Sequence, residues 1–327
     1  MSHHRKCFIN NTLIEVSFRA EEGLPLVSTN YMRLIIESYL ARAQELYPVT
    51  IVSIVVMSNH MHLLLVVQDP ANVPRFIGYF KRETAYAINK LIGRFKHTVW
   101  CDRYDSPIIL DSSKTIERLI YSYTNPQAAR LENTIEAYPN LTTWKELISG
   151  QPTSRYIPIF PRHVIPTLES DIDYSDELDE RICNSILEEQ CGTAELRIEP
   201  FAWFNCFPDT KAIQVESAIE EIVKAVKRKE STLVRDNGIV VIGAIALREQ
   251  NIRKSFKPKK RGRKMLCLAS NVDRRIDYLN WVFDLAKEAR EKTKRWILEN
   301  SPLILPPGFF SPGGKLSANI CPFVLQT

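Results

Sequence analysis

Two β-branched, apolar runs, residues 49–57 and 61–67, are separated by Ser58-Asn59. That arrangement constrains the chain more than any other feature, because so short a connection leaves two strands little choice but an antiparallel hairpin. Both runs are rich in β-forming apolar residues, so they read as two buried strands. The histidines His60 and His62 stand at the start of the second strand.

The surrounding pattern supplies partners for that sheet. Residues 12–18 alternate around Leu13, Ile14, Val16 and Phe18, the period of a half-buried strand. Residues 31–47 place Met32, Ile35, Ile36, Tyr39, Leu40, Ala43 and Leu46 at helical spacing, with Thr29 or Asn30 as cap and Pro48 as stop. Pro74 opens a second amphipathic helix carrying Phe76, Ile77, Phe80, Ala87, Ile88 and Leu91. A short strand at 107–110 leads into a helix capped by Asp111 or Ser112. The order strand, helix, strand, strand, helix, strand, helix predicts an α+β fold: a ferredoxin-like split βαβ core with a mainly antiparallel sheet and one added helix.

Beyond residue 150 the pattern weakens. Prolines recur at 152, 158, 161 and 166, which reads as a linker or wrapping arm over 151–170. Residues 171–327 then read as a mainly α C-terminal domain, with helices near 215–227 and 273–296, an aromatic stretch Phe201-Ala202-Trp203-Phe204 and a basic block at 253–264. The expected organisation is therefore a domain over 1–150, the linker and a second domain. Usage of 45% hydrophobic and 25% charged residues favours a folded chain, and the net charge of +5 permits a polyanionic partner without requiring one. Seven scattered cysteines with no C-x-x-C pair argue against a disulfide framework or zinc cluster, and no apolar run suits a membrane span. A cytoplasmic, nucleoid-associated protein is expected.

On a strand, residues two apart share a face about 6–7 Å apart, so His60 and His62 can converge on one ion. One satisfied and one exposed histidine is equally compatible with the pattern. Tyr121 and Asn125 lie four apart, one turn along a single helical face, and Pro126 forces the helix to kink or end there. Tyr123 is the rival tyrosine, and an ordinary core role suits either.

Met57-Ser58-Asn59-His60-Met61-His62-Leu63-Leu64 resembles the signature of the HUH single-tyrosine transposases. Tyr121-Ser122-Tyr123-Thr124-Asn125-Pro126 resembles the tyrosine helix of their REP-associated tyrosine transposase branch, insertion-sequence transposase A-like. Phe80-Lys81-Arg82 and Trp100-Cys101-Asp102-Arg103-Tyr104-Asp105 fit the same branch in order and spacing, so the resemblance covers about residues 8–150. Gln127-Ala128-Ala129-Arg130 departs from the branch's commoner basic-and-glycine ending.

The resemblance implies a strand transferase or nickase acting on single-stranded or hairpin DNA. Tyr121 would be the nucleophile, forming a 5'-phosphotyrosine, and His60, His62 and Asn125 would hold a divalent metal, Mg or Mn. Two imidazoles suit Mn²⁺ better than Mg²⁺, and zinc is also compatible. Arg75, Lys81, Arg82 and Arg103 are candidate phosphate contacts, with Tyr79, Trp100 and Tyr104 as stacking surfaces. Lys259, Lys260, Arg261 and Arg263 resemble a minor-groove hook, and a charged linker reads equally well. The protein would act as monomer or homodimer, away from membranes. The alternatives are a domesticated DNA-binding or regulatory protein with this fold, or a replication-initiator-type nickase.

Overall fold

The computed structural model describes residues 6–26, 28–95, 97–101, 103–169, 174–237, 240–254, 265–299, 302–306 and 308–309. The basic residues Lys259, Lys260, Arg261 and Arg263 lie outside the described residues.

The first half builds β1 (Thr12–Arg19), α1 (Asn30–Leu46), β2 (Thr50–Val56), β3 (His60–Val67), α2 (Asn72–Leu91), β4 (Ile108–Ile109) and α3 (Ser112–Tyr123). Thr29 caps α1 by accepting from the Met32 N–H, and Asp111 caps α3 by accepting from Lys114. The strands pair in the order β2-β3-β1-β4, every neighbour antiparallel, which is the expected split βαβ sheet. After Tyr123 the helix breaks at Thr124 and restarts as the single turn α4 (Asn125–Ala128), with Pro126 in its first turn, where its missing N–H does no harm.

The second half contributes α5 (Trp144–Ser149), β5 (Thr153–Ile159), α6 (Asp176–Glu188), β6 (Gly192–Ile198), α7 (Val215–Asn237), α8 (Ala244–Arg248), β7 (Cys267–Leu268) and α9 (Val272–Glu299). Helices predominate, yet three strands join the first-half sheet to give the order β5-β6-β2-β3-β1-β4-β7. The stretch read as a linker thus holds β5, paired antiparallel with β6 along its whole length. Of its four prolines only Pro158 falls within β5, on the outermost strand, where a missing donor costs little. β6 shows the period-two signature that the sequence reading passed over: Ala194, Leu196 and Ile198 are buried while the residues between them are exposed.

The sheet separates two apolar layers. On one face Met61, Leu63, Leu65 and Val67 meet α1, α2 and α6. On the other, Leu64 and Val66 meet α3, Trp144 of α5, the short 3-10 turns around Trp203 and Phe207, and Ile222 and Val226 of α7. Because side chains alternate along β3, His60 and His62 belong to this second face, beneath α3. Gly150 ends α5 in the left-handed region (φ 69°), and a Cβ there would sit 2.9 Å from Ile219 Cδ1 of α7.

Asp179 of α6 ties the late part of the chain to the early part. Its buried carboxylate accepts from the Asn30 and Tyr31 N–H groups at the start of α1, at 2.8 and 2.9 Å, and from the Tyr174 hydroxyl at 3.2 Å. It therefore supplements the Thr29 cap from a distant element. Asp179→Ala is expected to lower unfolding free energy by about 2–3 kcal/mol, since it strands two N–H groups that now donate to a charged acceptor; chemical denaturation checks this.

Candidate active site

The register of β1 against β3 places Ser17 opposite His62 and Arg19 opposite His60. Glu15, two residues earlier on the same face, is then the diagonal neighbour of His62, within reach of a long side chain. Its carboxylate is almost fully buried and makes three contacts: His62 Nδ1 at 3.1 Å, Arg118 Nη2 at 2.6 Å and Arg118 Nε at 2.7 Å. Burial alone would raise the Glu15 pKa, but the bonds from His62 and Arg118 outweigh it, and the pKa lies below the ordinary carboxylate value. An ionised carboxylate can only accept, so the His62 proton sits on Nδ1.

That assignment exposes the other nitrogen. His62 Nε2 faces the Asn125 side-chain amide at 3.1 Å. His60 repeats the arrangement: its Nδ1 lies 2.8 Å from Asn59 Oδ1, and burial first, then His62 and Arg19, push its pKa down to about 3. A neutral ring that donates through Nδ1 keeps its lone pair on Nε2. The two rings stand 5.1 Å apart between centroids, edge to face. The outcome is a pair of imidazoles with their lone pairs on Nε2, the one on His62 accepting from the Asn125 amide. Among the described residues no three of His, Cys, Asp and Glu gather as a metal cluster. The residues that could hold a divalent ion here are His60, His62 and, with its amide turned, the Asn125 oxygen. Glu15 would act behind it, fixing the orientation of His62.

The two tyrosines of α3 part company. Tyr123 is fully buried against Trp144, its hydroxyl 3.0 Å from Thr143 Oγ1 and 3.2 Å from the Thr143 carbonyl, and burial raises its pKa strongly. Tyr121 is 41% exposed, 5.9 Å from the His62 ring, and carries the Arg118 guanidinium 4.0 Å over its face. All four expected site residues, His60, His62, Tyr121 and Asn125, thus come together within one chain. Glu15 and Arg118 were missed. Their signal was present: a lone carboxylate on an inward strand position, and an arginine three residues before the tyrosine on one helical face.

The expected DNA contacts are dispersed. Trp100 is no stacking surface: it is 4% exposed, packs against Phe18 and donates to Thr84 Oγ1, because the 100–105 segment bridges to the end of β1 and turns the indole into the core. Tyr104 is largely covered, with the Lys6 ammonium over its ring. Lys81 donates to the Cys101 carbonyl, pinning that segment. Arg82 pairs with Glu83 and lies over Tyr79, while Arg75 is exposed. These α2 residues belong to the helical layer across the sheet from the histidines. Arg103 is exposed, on the segment that runs beside Arg19.

Residues 25–123 match the family model described as Transposase IS200 like. Over this segment the chain is similar to the IS200-like transposases. No curated protein matches the chain. A solved structure described as a REP-associated tyrosine transposase bound to a REP hairpin is similar over 54% of this chain and 96% of its own, at 15% identity and a TM-score of 0.38. The matched segment includes the histidine strand and the whole of α3, but not Asn125.

Tyr123→Phe is expected to cost about 1 kcal/mol by leaving Thr143 short of a partner, whereas Tyr121→Phe stays within about 0.5 kcal/mol; thermal denaturation separates them. Because the folded His60 pKa lies below its unfolded value, the native state binds fewer protons and acid favours unfolding. Stability of the metal-free protein should therefore fall as pH drops from 6.5 toward about 3, and His60→Gln should flatten that slope.

Proposed function

We propose that the protein cleaves and rejoins single-stranded DNA, with Tyr121 as the nucleophile. The observation that carries this reading is the placing of one exposed tyrosine beside His62, whose Nε2 accepts from the Asn125 amide. The Tyr121 oxygen would attack a backbone phosphorus and form a 5'-phosphotyrosine, while the P–O bond to the preceding nucleotide breaks and its 3'-oxygen takes up a proton. A second 3'-hydroxyl would later attack the same phosphorus, restoring the phosphodiester and returning the tyrosine. Bond energy is kept throughout, so no nucleotide cofactor is needed.

His60, His62 and Asn125 would hold a divalent ion, Mg or Mn, which supplies positive charge at the phosphate oxygens when bound. Glu15 holds the His62 proton on Nδ1. Arg118 clamps the Tyr121 ring from above and, through Glu15, links its position to that of His62. The family match supports a transposase.

The test is a denaturing gel after mixing the protein with Mn²⁺ or Mg²⁺ and a hairpin oligonucleotide carrying a single-stranded flank. A covalent adduct is expected from the native protein and from Tyr123→Phe, and none from Tyr121→Phe or in excess chelator. An adduct that persists in Tyr121→Phe moves the nucleophile elsewhere. Tight hairpin binding with no adduct from any form would favour a DNA-binding regulator instead.

Glu15→Gln is expected to reduce the adduct rate at least tenfold, as loss of a histidine-orienting partner typically costs about 10–100-fold in metal affinity or activity. Single-turnover kinetics at saturating oligonucleotide measure it.

A further inference from the structure

Tyr121 also lines a groove of about 710 Å³ between the α3–α4 corner and α7. α7 lies wholly outside the segment that matches the transposase family. One side of α7 packs into the core through Ala218, Ile222 and Val226, and the buried Glu230 fastens it by accepting from the Ile135 N–H at 2.7 Å and from Gln127 Nε2 at 3.1 Å. The side facing the groove carries Glu221, Lys224, Arg228 and Lys229 at helical spacing.

Three cations against one carboxylate, all exposed, give this wall a positive balance. Lys227, on the neighbouring face, is neutralised by Glu136 and Glu230. Among the described residues Lys224, Arg228 and Lys229 have no such carboxylate. The rest of the lining, including Ala128 and Leu233, is small or apolar and suits the flat face of a base. Tyr121 is shared between this groove and the histidine pair, so a chain lying in the groove is delivered to the nucleophile.

We infer that the α7 groove is a single-strand binding track: Lys224, Arg228 and Lys229 hold successive backbone phosphates while bases lie over the apolar floor, and the strand runs out past Tyr121. The inference rests on the strand-transfer reading for the direction of the strand, but not for binding itself. Unpaired backbone is favoured over duplex because the cations and the small or apolar side chains line the same groove, which asks for phosphates and bare bases together.

The probe is a fluorescent oligothymidylate of about 12 nucleotides, titrated in chelator so that no chemistry occurs. The double variant Lys224→Gln/Arg228→Gln should bind about tenfold more weakly at low salt, and its salt slope should shrink by about 1.4, the release expected from two lost phosphate contacts on a single strand. Lys287→Gln/Lys294→Gln, an exposed pair on α9, removes the same charge and should leave both values unchanged. Unchanged binding in the α7 variant, an equal loss in both variants, or no binding by the native protein would each overturn the inference. The adduct assay with the native protein reads the other question. An adduct together with an indifferent α7 variant sinks the groove and keeps the chemistry; α7-dependent binding without any adduct does the reverse.

Discussion

The buried carboxylate of Glu15 is the constraint from which the rest of the site follows. Placing an ionised group at 3% exposure in a sheet face is tolerable only because three donors meet it, two from one guanidinium and one from an imidazole. Removing either partner would leave a buried charge uncompensated, at a cost on the order of 3–5 kcal/mol. The same contacts decide chemistry. The imidazole is turned so that Nε2 points at Asn125, and the guanidinium is drawn across the face of Tyr121. One side chain on β1 therefore couples the orientation of a strand residue to that of a helix residue.

The position of α3 matters as much. A ferredoxin-like sheet keeps its two crossover helices on one face, here α1 and α2, leaving the second face to be covered by later elements. α3, α5 and α7 supply that cover, and the break at Thr124 lets α4 turn Asn125 back toward the sheet. Without Pro126 a continued helix would carry the amide onward along its axis. Glu230 and the backbone bonds from Ile242 and Gly243 to Arg130 and Leu131 hold this corner from behind.

Much of this was legible in the sequence because periodicity and caps are local. The hairpin, both crossover helices, the Asp111 cap and the helix break at Asn125-Pro126 each announce themselves within a few residues. Long-range pairings do not. Whether Thr153–Ile159 forms a strand depends on Gly192–Ile198 lying beside it, and prolines at 152, 158 and 161 masked the pattern. The site shows the same division. His60, His62 and Tyr121 sit in recognisable motifs, and Asn125 follows Tyr121 by one turn. Glu15, more than a hundred residues before Arg118, becomes visible only when β1 is laid against β3. Trp100 misled for a related reason: an aromatic in a polar loop looks exposed until the loop is seen bridging to Ala20.

The two strands that flank the four-strand core have a consequence for how the chain comes into being. β6 covers the β2 edge and β7 covers the β4 edge, and both come from after residue 190. During synthesis the four-strand sheet is complete well before either arrives, so it passes through a period with two open hydrogen-bonding edges, the arrangement that recruits strands from other molecules. The late strands thus act as built-in chaperones of the early ones. An isolated first half, however faithfully it kept Tyr121 and its histidines, would carry a lasting tendency to self-associate.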